Sequence, residues 1–317
     1  MPTSRFKDYV IDDLLAWRRA GERGALVTLI GVDGSAPRPL GAQMAVRENG
    51  DFVGHLTGGC AEAAIVAEAL AAMEEGANRR LRYGAGSPYL DIQLPCGSGI
   101  DVYVDAATPT DVIAEIASAR GRRRPISLTI DSDAHRSELI SWPAASAADE
   151  LFIRDYAPRT RLFAIGAGPI LGALSELAAV MDFEMVAFSP DESALDLAQR
   201  AGAETRRLTT PDAFEAPPGD RWTAATLLFH DHDWETPLLT RLLSQPLFYL
   251  AALGSRRTHA QRVAALIEAG CDAASVGRIK GPAGLDIGAK SPSEIALSIM
   301  AEIVAAQRSE GGLRGQG

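Results

Sequence analysis

From Arg161 onward the sequence alternates short apolar runs with longer amphipathic stretches, and no other feature restricts the fold as tightly. Leu162 to Ile165 is an apolar run that meets Gly166-Ala167-Gly168-Pro169, then a helical pattern to about Ala179. Met185 to Phe188 reads as a second strand and leads into a helical pattern over Ser193 to Ala201. Thr226 to Phe229 and Phe248 to Leu253 read as further strands, and Thr258 to Ala269 as a helix. Strand and helix in turn imply parallel pairing with helical crossovers, so this half is expected to be a Rossmann-like parallel α/β domain. The last helix is well marked: Ser291 as cap, Pro292 in the first turn and Glu294 closing a capping box.

The first half follows another pattern. Tyr9 to Ala20 is helical by its apolar spacing, and Ala25 to Val32 is a buried strand by composition. Gly34 to Gly41 is turn-rich, and Gln43 to Val46 and Phe52 to Gly54 read as paired strands. Ala61 to Glu75 is rich in Ala, Leu, Ile, Val and Glu and predicts a helix. Leu90 to Leu94 and Ile100 to Val104 read as strands around a Pro95-Cys96-Gly97-Ser98-Gly99 turn, and Ile126 to Ile130 and Glu138 to Ser141 as two more. With a linker at Tyr156-Ala157-Pro158-Arg159, the expected division is a mixed α/β domain over 1–157, the Rossmann-like domain over 158–308 and a frayed Gly-rich tail over 309–317.

At 317 residues, with 47% hydrophobic and 23% charged content, the chain has room for two ordinary domains with adequate cores. No apolar run approaches the ~20 residues of a membrane helix, and Met1 to Asp13 lacks the apolar block of a signal peptide. The three cysteines, Cys60, Cys96 and Cys271, fit reduced thiols better than a disulfide framework, so a cytoplasmic protein is expected. A net charge of −10 argues against nucleic-acid binding, yet leaves room for a small anion held by local arginines.

Thr57-Gly58-Gly59-Cys60-Ala61-Glu62 puts a cysteine where a helix begins. Two glycines before it let backbone approach a ligand with amides facing outward, and a thiol there meets unpaired amides that favour thiolate. Equally, Gly58 and Gly59 only break the chain and Cys60 is a small buried side chain. In the second half Gly166, Gly168 and Gly172 stand between a strand and a helix, which points to nucleotide-type binding at a helix N-terminus. At the end of the next strand, where a dinucleotide site offers an acid to the ribose, the chain has Ser189, with Asp191 displaced by two. The alternate histidines of His230-Asp231-His232-Asp233 offer a metal or proton-relay role, or a polar turn that pairs locally. Gly254-Ser255-Arg256-Arg257-Thr258, between a strand and a helix, reads as an anion cradle.

With these residues in view, the chain resembles the XdhC/CoxI family of accessory proteins for molybdenum hydroxylases such as xanthine dehydrogenase. In the first half the boxes are Gly34-Ser35-Ala36-Pro37-Arg38 with Gly41-Ala42-Gln43-Met44, then Gly58-Gly59-Cys60-Ala61-Glu62, and Leu94-Pro95-Cys96-Gly97. In the second half they are Gly166-Ala167-Gly168-Pro169, His230-Asp231-His232-Asp233 and Leu253-Gly254-Ser255-Arg256-Arg257-Thr258. Pro282 to Ala289 and Pro292-Ser293-Glu294-Ile295-Ala296 complete the ordered set. The chain departs from the family's Asp-Pro-Arg-like segment at Ser189 and Asp191, and has Gly97-Ser98 where Gly-Gly is common.

The resemblance implies a chaperone that binds the molybdenum cofactor, as molybdopterin or its dinucleotide form, assists its sulfuration and delivers it to an apo molybdenum hydroxylase. A cysteine desulfurase is the implied sulfur donor, and a homodimer is compatible with the apolar helix over Ser291 to Ala306. On that basis Cys60 and Cys96 contact or shield the molybdenum, Glu62 orients or serves protons, and Arg38 fixes an anionic group. Gly58, Gly59, Gly166, Gly168, Ser255, Arg256 and Arg257 are assigned to the cofactor, and His230 and His232 are further metal candidates. Two other classes compete. An NAD(P)-dependent oxidoreductase would use the glycine motif, but only Lys7, Lys280 and Lys290 occur and no tyrosine is followed four residues later by lysine. A structural adaptor would bind no small molecule tightly.

Overall fold

The computed structural model describes residues 7–36, 38–87, 97–143, 151–229 and 232–310. The expected strand over Leu90 to Leu94, Cys96 and the pair His230-Asp231 lie outside them. Contacts divide the chain into two compact units, one ending at Pro158 and the other beginning at Arg159.

In the first unit the elements are α1 (Ile11–Arg19), β1 (Gly24–Asp33), β2 (Gln43–Arg47), β3 (Phe52–Gly54), α2 (Glu62–Glu75), β4 (Arg79–Gly84), β5 (Gly99–Asp105) and α3 (Thr110–Gly121), then β6 (Ile126–Asp131), β7 (Arg136–Ser141) and β8 (Phe152–Tyr156). The first five strands form an antiparallel sheet in the order β3-β2-β1-β5-β4, and the last three a small antiparallel sheet in the order β7-β6-β8. Period-two alternation sends Ala25, Val27 and Leu29 of β1 into a core with Ile65, Ala69 and Ala72 of α2. Leu26 points the other way, into a core with Leu14 of α1, Ile113 and Ile116 of α3, and Leu128 and Tyr156 of the small sheet. Tyr156, expected in a linker, thus closes a strand.

The second unit runs β9 (Arg161–Ile165), α4 (Pro169–Val180), β10 (Glu184–Ser189), α5 (Glu192–Arg200), β11 (Glu204–Arg207), β12 (Thr223–Leu227), α6 (His232–Leu243), β13 (Tyr249–Ala252), α7 (Arg256–Glu268), α8 (Ala273–Val276), β14 (Ile279–Lys280) and α9 (Pro292–Glu310). The sheet order β11-β10-β9-β12-β13-β14, all parallel, is the doubly wound Rossmann arrangement. Alternation on β9 divides the core: Leu162 and Ala164 face α4 and α9, while Phe163 and Ile165 face Leu238, Leu239 and Leu242 of α6. The capping box of α9 forms, with Glu294 Oε2 accepting from Ser291 N at 2.9 Å and Ser291 Oγ accepting from Glu294 N at 3.3 Å. Helix α9 continues to Glu310, so the first residues of the expected frayed tail are helical. No helix among the described residues is long and apolar enough to cross a membrane.

Candidate functional site

The loop into α2 is built around one carboxylate. Gly58 (φ +76°) and Gly59 (φ +114°) take backbone conformations that residues with a side chain rarely adopt, although open space surrounds both. That path turns the loop's amides onto Glu62, the first residue of α2, which is only 5% exposed. Glu62 Oε1 accepts from the backbone N–H groups of Leu56 (3.1 Å), Thr57 (2.8 Å) and Gly58 (3.1 Å). Its Oε2 accepts from Gly59 N at 2.8 Å and from the Thr57 hydroxyl, which itself accepts from Ala61 N at 3.0 Å. The glycine amides therefore face inward onto Glu62 rather than outward to a ligand. Burial alone would raise the Glu62 pKa, but the Thr57 hydroxyl and the backbone amides outweigh it and leave the carboxyl below its ordinary range. Such a carboxylate holds a loop and is a poor proton donor near neutrality. The loop carries Cys60 at its exposed tip, two residues ahead of the first helical residue, which excludes the buried alternative for this thiol.

Arg38 pairs with Asp8, and its buried Nε has no partner among the described residues. Cys96 lies outside the described residues.

In the second unit Gly166 to Gly168, Ser189 and Gly254 to Thr258 lie at the C-terminal edge of the parallel sheet, where open α/β folds bind ligands. Gly166 sits there because a Cβ would meet Leu228 Cβ at 2.5 Å and its carbonyl carbon at 2.9 Å, a demand of packing at the point where strand order reverses. Gly168 is the N-cap of α4, with φ +81° and ψ −171°. The Ser189 side chain is fully buried and its Oγ accepts from Asp191 N at 3.1 Å, so it offers nothing to a ribose. Asp191 caps α5, accepting from Ser193 N at 2.9 Å and from the Ser193 hydroxyl at 2.7 Å. The Ser193 hydroxyl first, then the backbone amides of Ser193, Ala194 and Gly168, hold its carboxyl below the usual aspartate range against a desolvation cost. Asp191 is thus spent on its own cap, and the geometry gives the NAD(P) reading no ribose contact.

A cavity of about 630 Å³ opens beside this edge, within the range of small-molecule sites. Leu253, Gly254, Ser255 and Arg256 line one side, loop residues Pro282 to Ala289 another, and Ile170 of α4 with Ile295 and Ser298 of α9 close it. Gly284 (φ +96°) lets the loop lie against α9, where a Cβ would meet Ser298 Oγ at 2.3 Å. Its N–H donates to Glu302 at 2.8 Å. Ser255 spends its hydroxyl on capping α7, accepting from Thr258 N at 3.1 Å. Arg256 lines the cavity; Arg257 is exposed and outside the lining. His232 opens helix α6, so the expected polar turn ends in a helix. Among the described residues no group of three His, Cys, Asp or Glu is placed to hold a metal ion.

The matches to known proteins fall on these same segments. Residues 162–303 match the XdhC Rossmann domain, and residues 17–84 match the XdhC and CoxI family. The molybdenum cofactor insertion chaperone PaoD of Escherichia coli K12 is 34% identical over 90% of this chain and 83% of its own length. The chain belongs to the XdhC and CoxI family. A probable xanthine dehydrogenase subunit of Bacillus subtilis 168 is 26% identical over 89% of this chain and 93% of its own. A crystal structure described as a xanthine dehydrogenase from Bacillus halodurans shares the fold, with a TM-score of 0.79, 21% identity and coverage of 96% and 97% of the two chains.

In this member of the XdhC and CoxI family, one buried pair escaped the sequence reading. Arg262 of α7 donates to both Glu235 oxygens, Nε at 3.0 Å and Nη2 at 2.8 Å, with both side chains 1% exposed. Nη2 also donates to Leu253 O at 2.6 Å, which fixes the strand end that walls the cavity. The signal was present: Arg262 lies four residues before Leu266, on the buried stripe of α7.

Proposed function

We propose that this chain binds a molybdenum cofactor and hands it to an apo molybdenum hydroxylase of the xanthine dehydrogenase type. The observation that carries the reading is the exposed Cys60 thiol on a loop that Glu62 locks from within. A soft sulfur donor suits a soft metal centre or a transferred sulfur, and an exposed one meets its cargo without the loop opening. Identity of 34% to a molybdenum cofactor insertion chaperone across nine-tenths of the chain supports the same cargo. We assign the thiol-bearing part to residues 1–157 and the cavity to residues 158–308, with Cys96 as the second thiol. Arg256, Arg257 and the amides around the cavity would receive a phosphate or nucleotide end of the cargo. His230 and His232 would be auxiliary donors. Gly58, Gly59, Gly166 and Gly168 then contribute by shaping backbone. Sulfuration belongs to the same reading, with a cysteine desulfurase as sulfur donor, a cytoplasmic setting, and pairing of two copies as its quaternary form.

The test is transfer. Protein loaded anaerobically with molybdenum cofactor is mixed with apo-xanthine dehydrogenase, and xanthine oxidation is followed. Activity recovered well above that from an equal amount of free cofactor is expected; recovery equal to free cofactor overturns the delivery role.

A further inference from the structure

Asp286, on the loop over residues 282–289, lines the cavity of the second unit together with Arg256, the first residue of α7. One cavity therefore holds two opposite charges that come from different elements. The two do not meet: among the described residues neither side chain makes a hydrogen bond or an ion pair. A guanidinium only donates and a carboxylate only accepts. A ligand that spans both must carry an anion at one end and hydrogen-bond donors at the other.

The loop fixes where the acid stands. Leu285 N donates to Ser298 O of α9 at 3.1 Å, and Ile287 N donates back to Leu285 O at 2.9 Å, a γ-turn with Asp286 at its centre. Gly284 N, two residues before the acid, is tied to Glu302 of α9 at 2.8 Å. Asp286 thus occupies the apex of a turn that is braced twice against one helix. Its two neighbours, Leu285 and Ile287, line the same cavity and are 43% and 51% exposed. Large apolar side chains left this open in a cavity wall suit the face of a planar ring.

These features narrow the ligand. A carboxylate on a fixed turn is matched by two parallel donors, the arrangement that a guanidinium offers it. On a planar heterocycle the same fork is a ring N–H beside an exocyclic amino group. The 2-amino-4-oxo-pyrimidine edge of guanine and of pterin has this fork. Adenine and cytosine do not, because in both the amino group stands beside a ring nitrogen that accepts.

We propose that Asp286 is a specificity-determining residue that binds the 2-amino-4-oxo-pyrimidine edge of a phosphate-bearing ligand, either a guanine nucleotide or a pterin. This role rests on the assignment of Arg256 to a phosphate or nucleotide end, and adds what the rest of that ligand must present.

The experiment is calorimetric titration of the full chain with guanosine 5′-monophosphate and with the phosphate ester of 6-hydroxymethylpterin, each beside its analogue lacking the 2-amino group. Wild type is expected to hold the amino-bearing probe about tenfold more tightly than its analogue. Asp286→Asn, a change to an exposed side chain, is expected to lose that preference while holding the analogue as before. Whichever amino-bearing probe binds more tightly assigns the source, guanine or pterin. Binding of no probe overturns the role of Asp286, as does a preference absent from wild type or kept by Asp286→Asn. Arg256→Gln separates this role from the phosphate assignment. If it weakens amino-bearing probe and analogue alike where wild type shows no preference, the phosphate contact stands and the Asp286 role falls alone. If it binds every probe as wild type does, the phosphate assignment falls and the Asp286 role with it.

Discussion

The Gly58-Gly59 loop and the Gly166–Gly168 turn carry the same signature, glycines leading into a helix, but among the described residues only the first donates its amides to a carboxylate of this chain. At the first loop, Glu62 is buried and takes four backbone amides and a hydroxyl. At the second, Asp191 is the cap of a neighbouring helix, sits nearer to solvent, and accepts its hydrogen bonds from Ser193 of that helix. The buried carboxylate makes its loop a fixed platform for Cys60. The other leaves the turn beside the cavity under a lighter hold. Glycine patterns alone cannot distinguish these cases, because what matters is the acceptor that arrives from elsewhere in the fold.

The largest effect is expected where a buried charge loses its partner. Glu235→Gln strands the Arg262 guanidinium behind the cavity wall and should cost about 3–5 kcal/mol in urea unfolding. A loss under about 1 kcal/mol would mean that the pair does not hold the β13 end. Next comes Glu62→Gln, which replaces acceptors by an amide and leaves loop N–H groups unpaired, with a loss of about 2–3 kcal/mol. Because the folded Glu62 pKa is depressed, its contribution is complete above the unfolded value of about 4.3 and disappears as pH falls through the folded value. Glu62→Gln should therefore flatten the acid side of the stability profile, and an unchanged profile would refute the anchor. Asp191→Ala should have the smallest effect of the three, a Tm decrease of no more than ~3 °C in a thermal melt. A larger drop for Asp191→Ala than for Glu62→Gln would invert the contrast between the two loops.

The parallel half was legible because its central strands are continuous apolar runs and its helices are signed by caps, as at Ser291 and Glu294. What escaped lies mostly at sheet edges. β4, β8 and β11 are edge strands that carry Arg79, Arg80 and Arg82, Arg154 and Asp155, and Glu204, Arg206 and Arg207, so composition hides their pairing. Strand β12 begins at Thr223, three residues before its expected start, since the buried run from Trp222 to Phe229 has no period to fix its ends. Helix α3 went unread although Ile113, Ile116 and Ala119 recur on one face, and α6 was masked by Pro237 inside it. At the candidate site, the sequence placed Cys60 before its helix, whereas Arg256 and Arg257, expected ahead of theirs, open α7. It could not show that Glu62 takes the glycine amides or that Asp191 caps α5, because each depends on a side chain folding back on its own loop.

The central claim is that the Glu62-locked loop presents Cys60 to the molybdenum of a bound cofactor. The most direct test is anaerobic binding of purified molybdenum cofactor to wild type and Cys60→Ser, read as molybdenum retained on ultrafiltration, with melting curves taken alongside. Cys60 is exposed, so its replacement by serine should leave stability within about 0.5 kcal/mol of wild type. Tight wild-type retention that Cys60→Ser loses, at an unchanged Tm, is the predicted result. Equal retention by both proteins would contradict the claim and move the metal away from this loop.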